Sequence, residues 1–384
     1  MIMSFGSWVC ELRYRAVLGG MLSVLALAGP GWAEEGEARY FRVWAASNAA
    51  ITGFTTDGRL AWSNEVLAGT VTVQVASESL TNWRDHARFT PDATFQTNRV
   101  RDPRTPSDMV FIPDGIFEMG DALGDGAPDE LPIHTVYTDA FYMDKQEVTV
   151  ARWNAVATWA EDHGYDIYPY SVYGKAANHP VVYVSWNLAV KWCNARSQME
   201  GLAPCYTVGG VLFTNGESSA VNCDWSVGGY RLPTEAEWEK AARGGSEHLR
   251  FPWDQTNTID HLLANYDSVD YPYDANPYPG YHVEFEVANE PYSNPVDYFP
   301  ATGYGLYDMA GNVREWCWDF YHDSYYLVSP SINPTGPAAG TDRVMRGGAW
   351  NTPTFYPRVA ARDLWMPEDT YAMESTGFRC VRKP

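Results

Sequence analysis

Between residues 251 and 307 the chain shows little hydrophobic periodicity and a surplus of Tyr, Pro, Asn and Asp. An ordered coil of that length is rare in a compact domain, and it is usually functional or pinned by something, a bound cation being one such pin. Such a stretch suits a loop-rich fold held by side chains rather than by long regular elements. The composition supplies those side chains, with 16 Trp, 25 Tyr and 15 Phe beside 32 Gly and 25 Pro. Such a mixture fits a loop-rich fold held by large flat side chains, and it raises carbohydrate or peptide binding as a question. With 384 residues there is chain for one large or two unequal domains. A net charge of −21 disfavours binding to nucleic-acid phosphates or anionic membrane surfaces.

The N-terminus reads as a secretory signal over residues 1–33. Arg13 and Arg15 precede an apolar run from Ala16 to Ala28, and Gly31-Trp32-Ala33 ends on a small residue suited to cleavage. That run is too short to span a bilayer, no Cys at the cut supports a lipid anchor, and the acidic stretch from Glu34 follows at once. A soluble protein exported to the periplasm or the extracellular space is expected. Cys10 would leave with the signal, and the remaining Cys193, Cys205, Cys223, Cys317 and Cys380 contain no C-x-x-C pair. A thiolate zinc site is therefore not expected, and an oxidising compartment favours disulfides. Cys205 and Cys223 flank a Gly/Ser/Asn-rich excursion, and closing it would contribute about 3 kcal/mol on chain-entropy arithmetic. One thiol is left over, and spacing does not name it.

Residues 34–100 alternate apolar and polar side chains between turn residues, as half-buried antiparallel strands do, and form a small β-module. Residues 101–107 carry two prolines and mixed charge and read as a linker to the domain that runs from 108 to 384. In that domain MVFIPDGIFEMG and IHTVYTDAFYMDKQEVT read as strands around an acidic turn. Helical patterns follow in VARWNAVATWAEDHG, ending on Gly164, and in SWNLAVKWCNARSQMEG, capped by Ser185. The third, TEAEWEKAAR, has a capping box between Thr234 and Glu237 and stops at Gly244. No repeat of solenoid period is visible.

GLYDMAGNVREW carries the most chemistry. An extended run from Gly311 to Glu315 would present positions 311, 313 and 315 to one side. Asp308 and Glu315 would then supply carboxylate oxygens, with the carbonyls of Gly311 and Val313 between them. That is a hard-cation set, for which calcium is the usual occupant. The alternative is a turn whose acids cap backbone N–H groups.

Four motifs now stand in order: YRLPTEAEWEKAARGG, GYGLYDMAGNVREWCWDFY, RVMRGGAWN and STGFRCVR. Together they resemble the formylglycine-generating enzyme, or sulfatase-modifying factor, family over roughly residues 108–384. The resemblance implies an α+β, C-type-lectin-like fold, loop-rich and Trp-rich, here preceded by the all-β module. It implies one structural calcium at Asp308, Gly311, Val313 and Glu315. A second begins at Asn265 with the carbonyl of Tyr266. Where the family continues that second site with Asp-Gly-aromatic, this chain has Glu290-Pro291-Tyr292. It further implies a disulfide between Cys193 and Cys380, which makes Cys205–Cys223 the second pair and leaves Cys317 unpaired.

The departure from the family lies at its reaction centre. The family binds copper(I) through two Cys after its R-G-G-S motif, and soft thiolates are what select that ion. Here the two positions fall on Thr352 and Pro357, with no Cys between Cys317 and Cys380. Copper and conventional formylglycine formation are therefore not expected. Some relatives are non-haem iron oxygenases, and His282-x-Glu284 has the spacing of part of an iron site, although an exposed loop His explains it as well. Asp121, Asp125, Asp129 and Glu130 read as a solvated acidic loop before a cation site. No G-x-S-x-G, H-E-x-x-H or Walker-type loop is present. Trp186, Trp192, Trp238 and Trp316 fit packing roles, while some of Tyr266, Tyr271, Tyr273, Tyr278 and Tyr281 could line a groove. The family implies action on a protein substrate held near residues 347–362. Two functions from different classes follow: a protein-modifying oxidoreductase with another metal or site, or a silent module that binds a peptide or glycan.

Overall fold

The structure, a computed structural model, describes residues 106–384 apart from 169–173, 254–255, 270, 288–290 and 367–373, together with the backbone of eight strands before them. The chain divides into two compact units, Met1–Pro106 and Ser107–Pro384. In the first, β1 (Arg13–Val17), β2 (Met21–Leu27), β3 (Arg39–Trp44), β6 (Val71–Ser77) and β7 (Arg84–Phe89) form one antiparallel sheet in the order β1-β2-β3-β6-β7. The second sheet has the order β4-β5-β8, from Ala50–Phe54, Arg59–Ser63 and Phe95–Arg99. Two of these strands fall in the segment read as a leader, whose proposed cut near Ala33 lies outside the described residues. Most of the linker, 101–105, lies outside them too.

The second unit uses short strands and three α-helices among its described residues. β9 (Met109–Ile112) and β20 (Val381–Arg382) flank β12 (Phe141–Asp144), so the last strand closes onto the first. β10 (Gly115–Met119) pairs with β11 (His134–Thr138), Ile116 facing Tyr137. β13 (Tyr206–Val208) lies between β14 (Val211–Leu212) and β15 (Val221–Cys223), which shapes the predicted excursion as a small antiparallel sheet. β16 (Arg314–Phe320) is flanked by β17 (Arg343–Arg346) and, in parallel, by β19 (Thr376–Gly377), with β18 (Asp363–Trp365) beyond β17.

The second and third helices start where the caps predict, and the structure supplies the cap of the first. α1 (Val150–Glu161) begins after Thr149, whose hydroxyl accepts the Arg152 N–H. α2 (Trp186–Met199) begins after Ser185, and α3 (Glu235–Arg243) begins in the Thr234/Glu237 capping box and ends at left-handed Gly244. α1 and α2 pack a core around Trp153, Trp192 and Phe378, with the two indoles stacked 6.1 Å apart. Packing roles hold for the four tryptophans singled out. All are buried, and their indole N–H groups donate to Cys317 O (Trp186), Trp153 O (Trp192), Glu315 (Trp238) and Val184 O (Trp316). The long coil is pinned by a carboxylate: Asp274 accepts from the hydroxyls of Tyr266, Ser268 and Thr354 and from the N–H groups of Val269 and Asn276.

No helix of the described residues is long and apolar enough to cross a membrane.

Candidate functional site

The turn after β17 carries the positions where the family places its thiolates. Gly347 and Gly348 both adopt positive φ, +89° and +68°. A Cβ on Gly348 would stand 2.8 Å from the Pro357 nitrogen, so the two ends of the turn touch backbone to backbone. Thr352 is fully buried, and its hydroxyl is spent on the turn itself, accepting from Ala349 N–H at 2.7 Å and donating to Ala349 O at 2.9 Å. Pro357 offers neither donor nor soft ligand. These residues do not fit copper(I), which needs sulfur at both places.

Next to this turn lies the 308–315 segment. Its backbone differs from the extended run expected from sequence: Asp308, Gly311 and Asn312 have φ of +52°, +82° and +60°, and β16 starts only at Arg314. The cause is a close approach to the long coil. Asn265 O accepts the Asn312 N–H at 2.9 Å, and a Cβ on Gly311 would lie 2.2 Å from that same oxygen. The simple alternation of 311, 313 and 315 therefore fails, yet the acids are still gathered. Asp308 and Glu315 are buried, and sequence reasoning missed a third carboxylate, Glu147, which is buried between β12 and α1. Glu147 accepts from Asn312 Nδ2 at 2.7 Å and from Val313 N–H at 3.2 Å. The signal available was an acid lodged in the strand-to-helix step DKQEVT.

Charge at this cluster is unbalanced. Arg379 grips Glu315 through two nitrogens, and Trp238 Nε1 donates to the same carboxylate at 2.9 Å. Burial, followed by Asp308 and Glu315, pushes Glu147 well above the ordinary carboxylate range. Burial likewise raises Asp308 to about 7 against the opposing pull of the Asn294 hydrogen bond and of Arg379. Three buried acids thus face one guanidinium. Asp308 Oδ1 accepts from Asn294 Nδ2 at 3.0 Å, while Asp308 Oδ2 and Asn294 Oδ1 are buried with no hydrogen-bond partner among the described residues. Two orphaned oxygens beside surplus negative charge fit a hard divalent cation. No group of three His, Cys, Asp or Glu side chains among the described residues is placed to hold a metal by itself, so a cation here would have to draw on amide and carbonyl oxygens as well.

At the second expected calcium site, Asn265 is buried, and its amide nitrogen lies 2.7 Å from Tyr292 O. The Tyr266 carbonyl accepts from His261 Nε2 at 3.1 Å, so here an imidazole N–H occupies the expected ligand oxygen.

Among the other expected groups, the Cys193 and Cys380 sulfurs lie 3.4 Å apart as buried thiols, and the Cys205 and Cys223 thiols are hydrogen-bonded. Cys317 is buried elsewhere, in the core beside α3. Both nitrogens of His282 are occupied, one by His261 O and the other by the Glu284 N–H, and Glu284 binds the Tyr298 hydroxyl instead. His282 therefore offers no open nitrogen to iron. The acidic loop is not merely solvated. Asp121 accepts from Leu123 and Gly126 N–H, Asp125 binds Arg250, Asp129 binds the Tyr321 hydroxyl, and buried Glu130 pairs with Arg358. Of the coil tyrosines, Tyr266 and Tyr273 are core, while Tyr271 and Tyr278 are exposed. Tyr281 packs with Tyr292 and Trp350 on the thiolate-position turn.

Residues 95–384 match the family model described as Sulfatase-modifying factor enzyme 1-like domain. The formylglycine-generating enzyme of Streptomyces coelicolor is 33% identical over 317 residues, covering 76% of this chain and 94% of that protein. The enzyme of the same name from Bos taurus is 34% identical over 303 residues, covering 73% of this chain and 75% of its own. Among solved structures, Treponema denticola variable protein 1 aligns with a TM-score of 0.56 and 29% identity, covering 72% of this chain and 95% of that one. The fold is the loop-rich α+β, C-type-lectin-like architecture expected from the motifs.

Proposed function

The chain belongs to the sulfatase-modifying factor family, and from that premise we propose that it is an exported protein that binds a segment of another protein around residues 347–362 without copper-dependent formylglycine formation. The observation that carries this reading is Thr352. Its hydroxyl closes a turn on Ala349 at the position where the family needs a thiolate, and Pro357 fills the other. What remains of the family's apparatus is a rigid platform. Trp350, Tyr281 and Tyr292 pack ring against ring in one cluster, and Gly347 brings the turn close against Trp238. Trp350 is buried, and the part-exposed rings of Tyr281 and Tyr292 beside it give pre-ordered aromatic surface that favours peptide contact at low entropic cost. Export is supported by Arg13 and Arg15 before the apolar run from Ala16 to Ala28.

Calcium is proposed as a structural cofactor held by Asp308, Asn294 and neighbouring carbonyls, with Glu315 and Glu147 behind them. It would supply the positive charge that three buried acids and Arg379 leave wanting. Under the proposed export, Cys193 would pair with Cys380 and Cys205 with Cys223.

The test is a metal assay of the purified protein before and after a chelating wash, joined to incubation with a Cys-containing sulfatase-type peptide and an aldehyde trap. Calcium without trapped aldehyde is expected. Stoichiometric copper or iron, or trapped aldehyde, would establish the oxidoreductase reading instead.

A further inference from the structure

We propose that Arg314 and Asn351 form an anchor for a carboxylate of the bound peptide, set beside the Thr352 turn. The inference rests on the peptide-binding reading above and gives that site a chemical preference.

Arg314 opens β16, and its side chain is fixed from two directions. Nε donates to Asp363 Oδ2 at 2.8 Å, and Nη1 donates to Ser375 Oγ at 2.7 Å and to Asn351 Oδ1 at 3.4 Å. The third nitrogen, Nη2, has no acceptor among the described residues. The residue is 9% exposed, yet Nη2 is not among the atoms sealed from solvent, unlike Nη2 of Arg343. A locked guanidinium with one edge left wet has already lost the side-chain entropy that a ligand contact would otherwise cost.

Asn351 borders the same guanidinium. Because Arg314 can only donate, Asn351 presents Oδ1 to it and must aim Nδ2 the other way. Nδ2 finds no acceptor among the described residues and also keeps solvent contact. Tyr356, next to Pro357, is within electrostatic reach of Arg314 and Asp363, and its hydroxyl has no hydrogen-bond partner among the described residues. Donors therefore outnumber acceptors at a spot adjoining the turn.

The donor geometry selects the ligand. The open Arg314 Nη2 is a charge-assisted donor suited to a carboxylate oxygen, and the Asn351 amide beside Nη1 is a neutral donor near it. Asp363 already neutralises part of the arginine charge, and the chain carries −21 overall, so a dianion such as a phosphate gains less here than a monoanion. A carboxylate from a Glu or Asp side chain and one from a peptide C-terminus have the same chemistry, and the test separates them.

The probes are acetylated, amidated random peptide pools with one fixed position holding Glu, Gln or Lys, and a Gln-fixed pool with a free C-terminal carboxylate. Binding to the full chain is read by interferometry at physiological salt. The Glu pool is expected to bind about tenfold or more tightly than the Gln pool, and the Lys pool most weakly. A preference for the free-carboxylate pool supports the same anchor with a terminal source. Arg314→Gln is expected to abolish the preference and Arg314→Lys to leave a part of it, with melting temperature recorded for each. Should Arg314→Gln fail to fold, Asn351→Ala is read in its place. Equal binding of the Glu, Gln and Lys pools would overturn the anchor while leaving peptide binding standing. Binding of none would overturn both.

Discussion

Arg379 and Glu315 make a two-pronged ion pair in a fully buried setting, with Arg379 Nη2 to Glu315 Oε1 at 2.6 Å and Nε to Oε2 at 2.7 Å. The guanidinium comes from the final G-F-R-C motif and the carboxylate from N-V-R-E-W, so the pair ties the end of the chain to the centre of the β16 sheet. Arg379 also donates to the carbonyls of Tyr307, Asp144 and Lys145. Removing it by Arg379→Met leaves Glu147, Asp308 and Glu315 without their one buried countercharge. The expected loss is about 3–5 kcal/mol in urea unfolding. A change below about 1 kcal/mol would mean that the acids are neutralised in another way.

Calcium supplies the second prediction. If the Asp308 cluster holds calcium as proposed, chelation should lower the melting temperature and calcium should restore it. The proton is the cation's competitor. Folded Asp308 is raised to about 7, so its share of metal-free stability is present below the ordinary carboxylate value and is lost as pH rises through about 7. The calcium effect should accordingly be larger at about pH 8 than at about pH 6, as calorimetry with and without chelator would show. An Asp308→Asn variant should lose most of this dependence.

Asp274 organises the coil that first constrained the fold. Five donors converge on it, and one of them, the Thr354 hydroxyl at 2.6 Å, belongs to the thiolate-position turn. Asp274→Asn keeps the shape but replaces an acceptor-only group with one that must donate. A loss of about 2–4 kcal/mol is expected from several charge-assisted bonds. Hydrogen exchange should accelerate first at Ser268, Val269 and Asn276. Uniform acceleration across the domain would show that the coil has no such local pin.

His282 sets an acid limit. Burial lowers its folded pKa below the usual imidazole value, and Nδ1 accepts the Glu284 N–H, an arrangement that protonation abolishes. A depressed folded pKa contributes stability that is present above the unfolded value and lost as pH falls through the folded one. The segment from His282 to Phe285 should therefore loosen as pH falls below the ordinary imidazole range, with Phe299 released from its contact with His282. A His282→Gln variant, whose amide does not titrate, should show no acid step in hydrogen exchange of this segment.

The cysteines give a count. In oxidised protein, non-reducing peptide mapping should find Cys193 joined to Cys380 and Cys205 joined to Cys223. Cys317, buried beneath α3, should take up alkylating reagent only after unfolding. Alkylation of Cys193 in oxidised, unfolded protein would overturn that pairing.

Helix starts, strand alternation and the four ordered motifs are local or linear properties, and the residues themselves announce them. Thr234 with Glu237, and Ser185, mark their helices because a cap is satisfied within three residues of itself. The missing thiolates are equally legible, since Thr352 and Pro357 need no folding to lack sulfur. What the residues do not announce depends on groups that meet only in three dimensions. Glu147 joins Asp308 and Glu315 across more than half the domain, and the left-handed turn at Gly311 and Asn312 exists because Asn265 presses against it. The clearest case is α3. Its sequence EAEWEKAAR reads as a polar helix, yet all nine residues from Glu235 to Arg243 are buried. Arg362 and Arg346, brought in from other segments, cover Glu235 and Glu239, while Arg231 just before the helix covers Glu237. A charge is written in the sequence, but whether it faces water or a partner is a matter of distance, and only the tertiary structure sets distances between residues far apart in the chain.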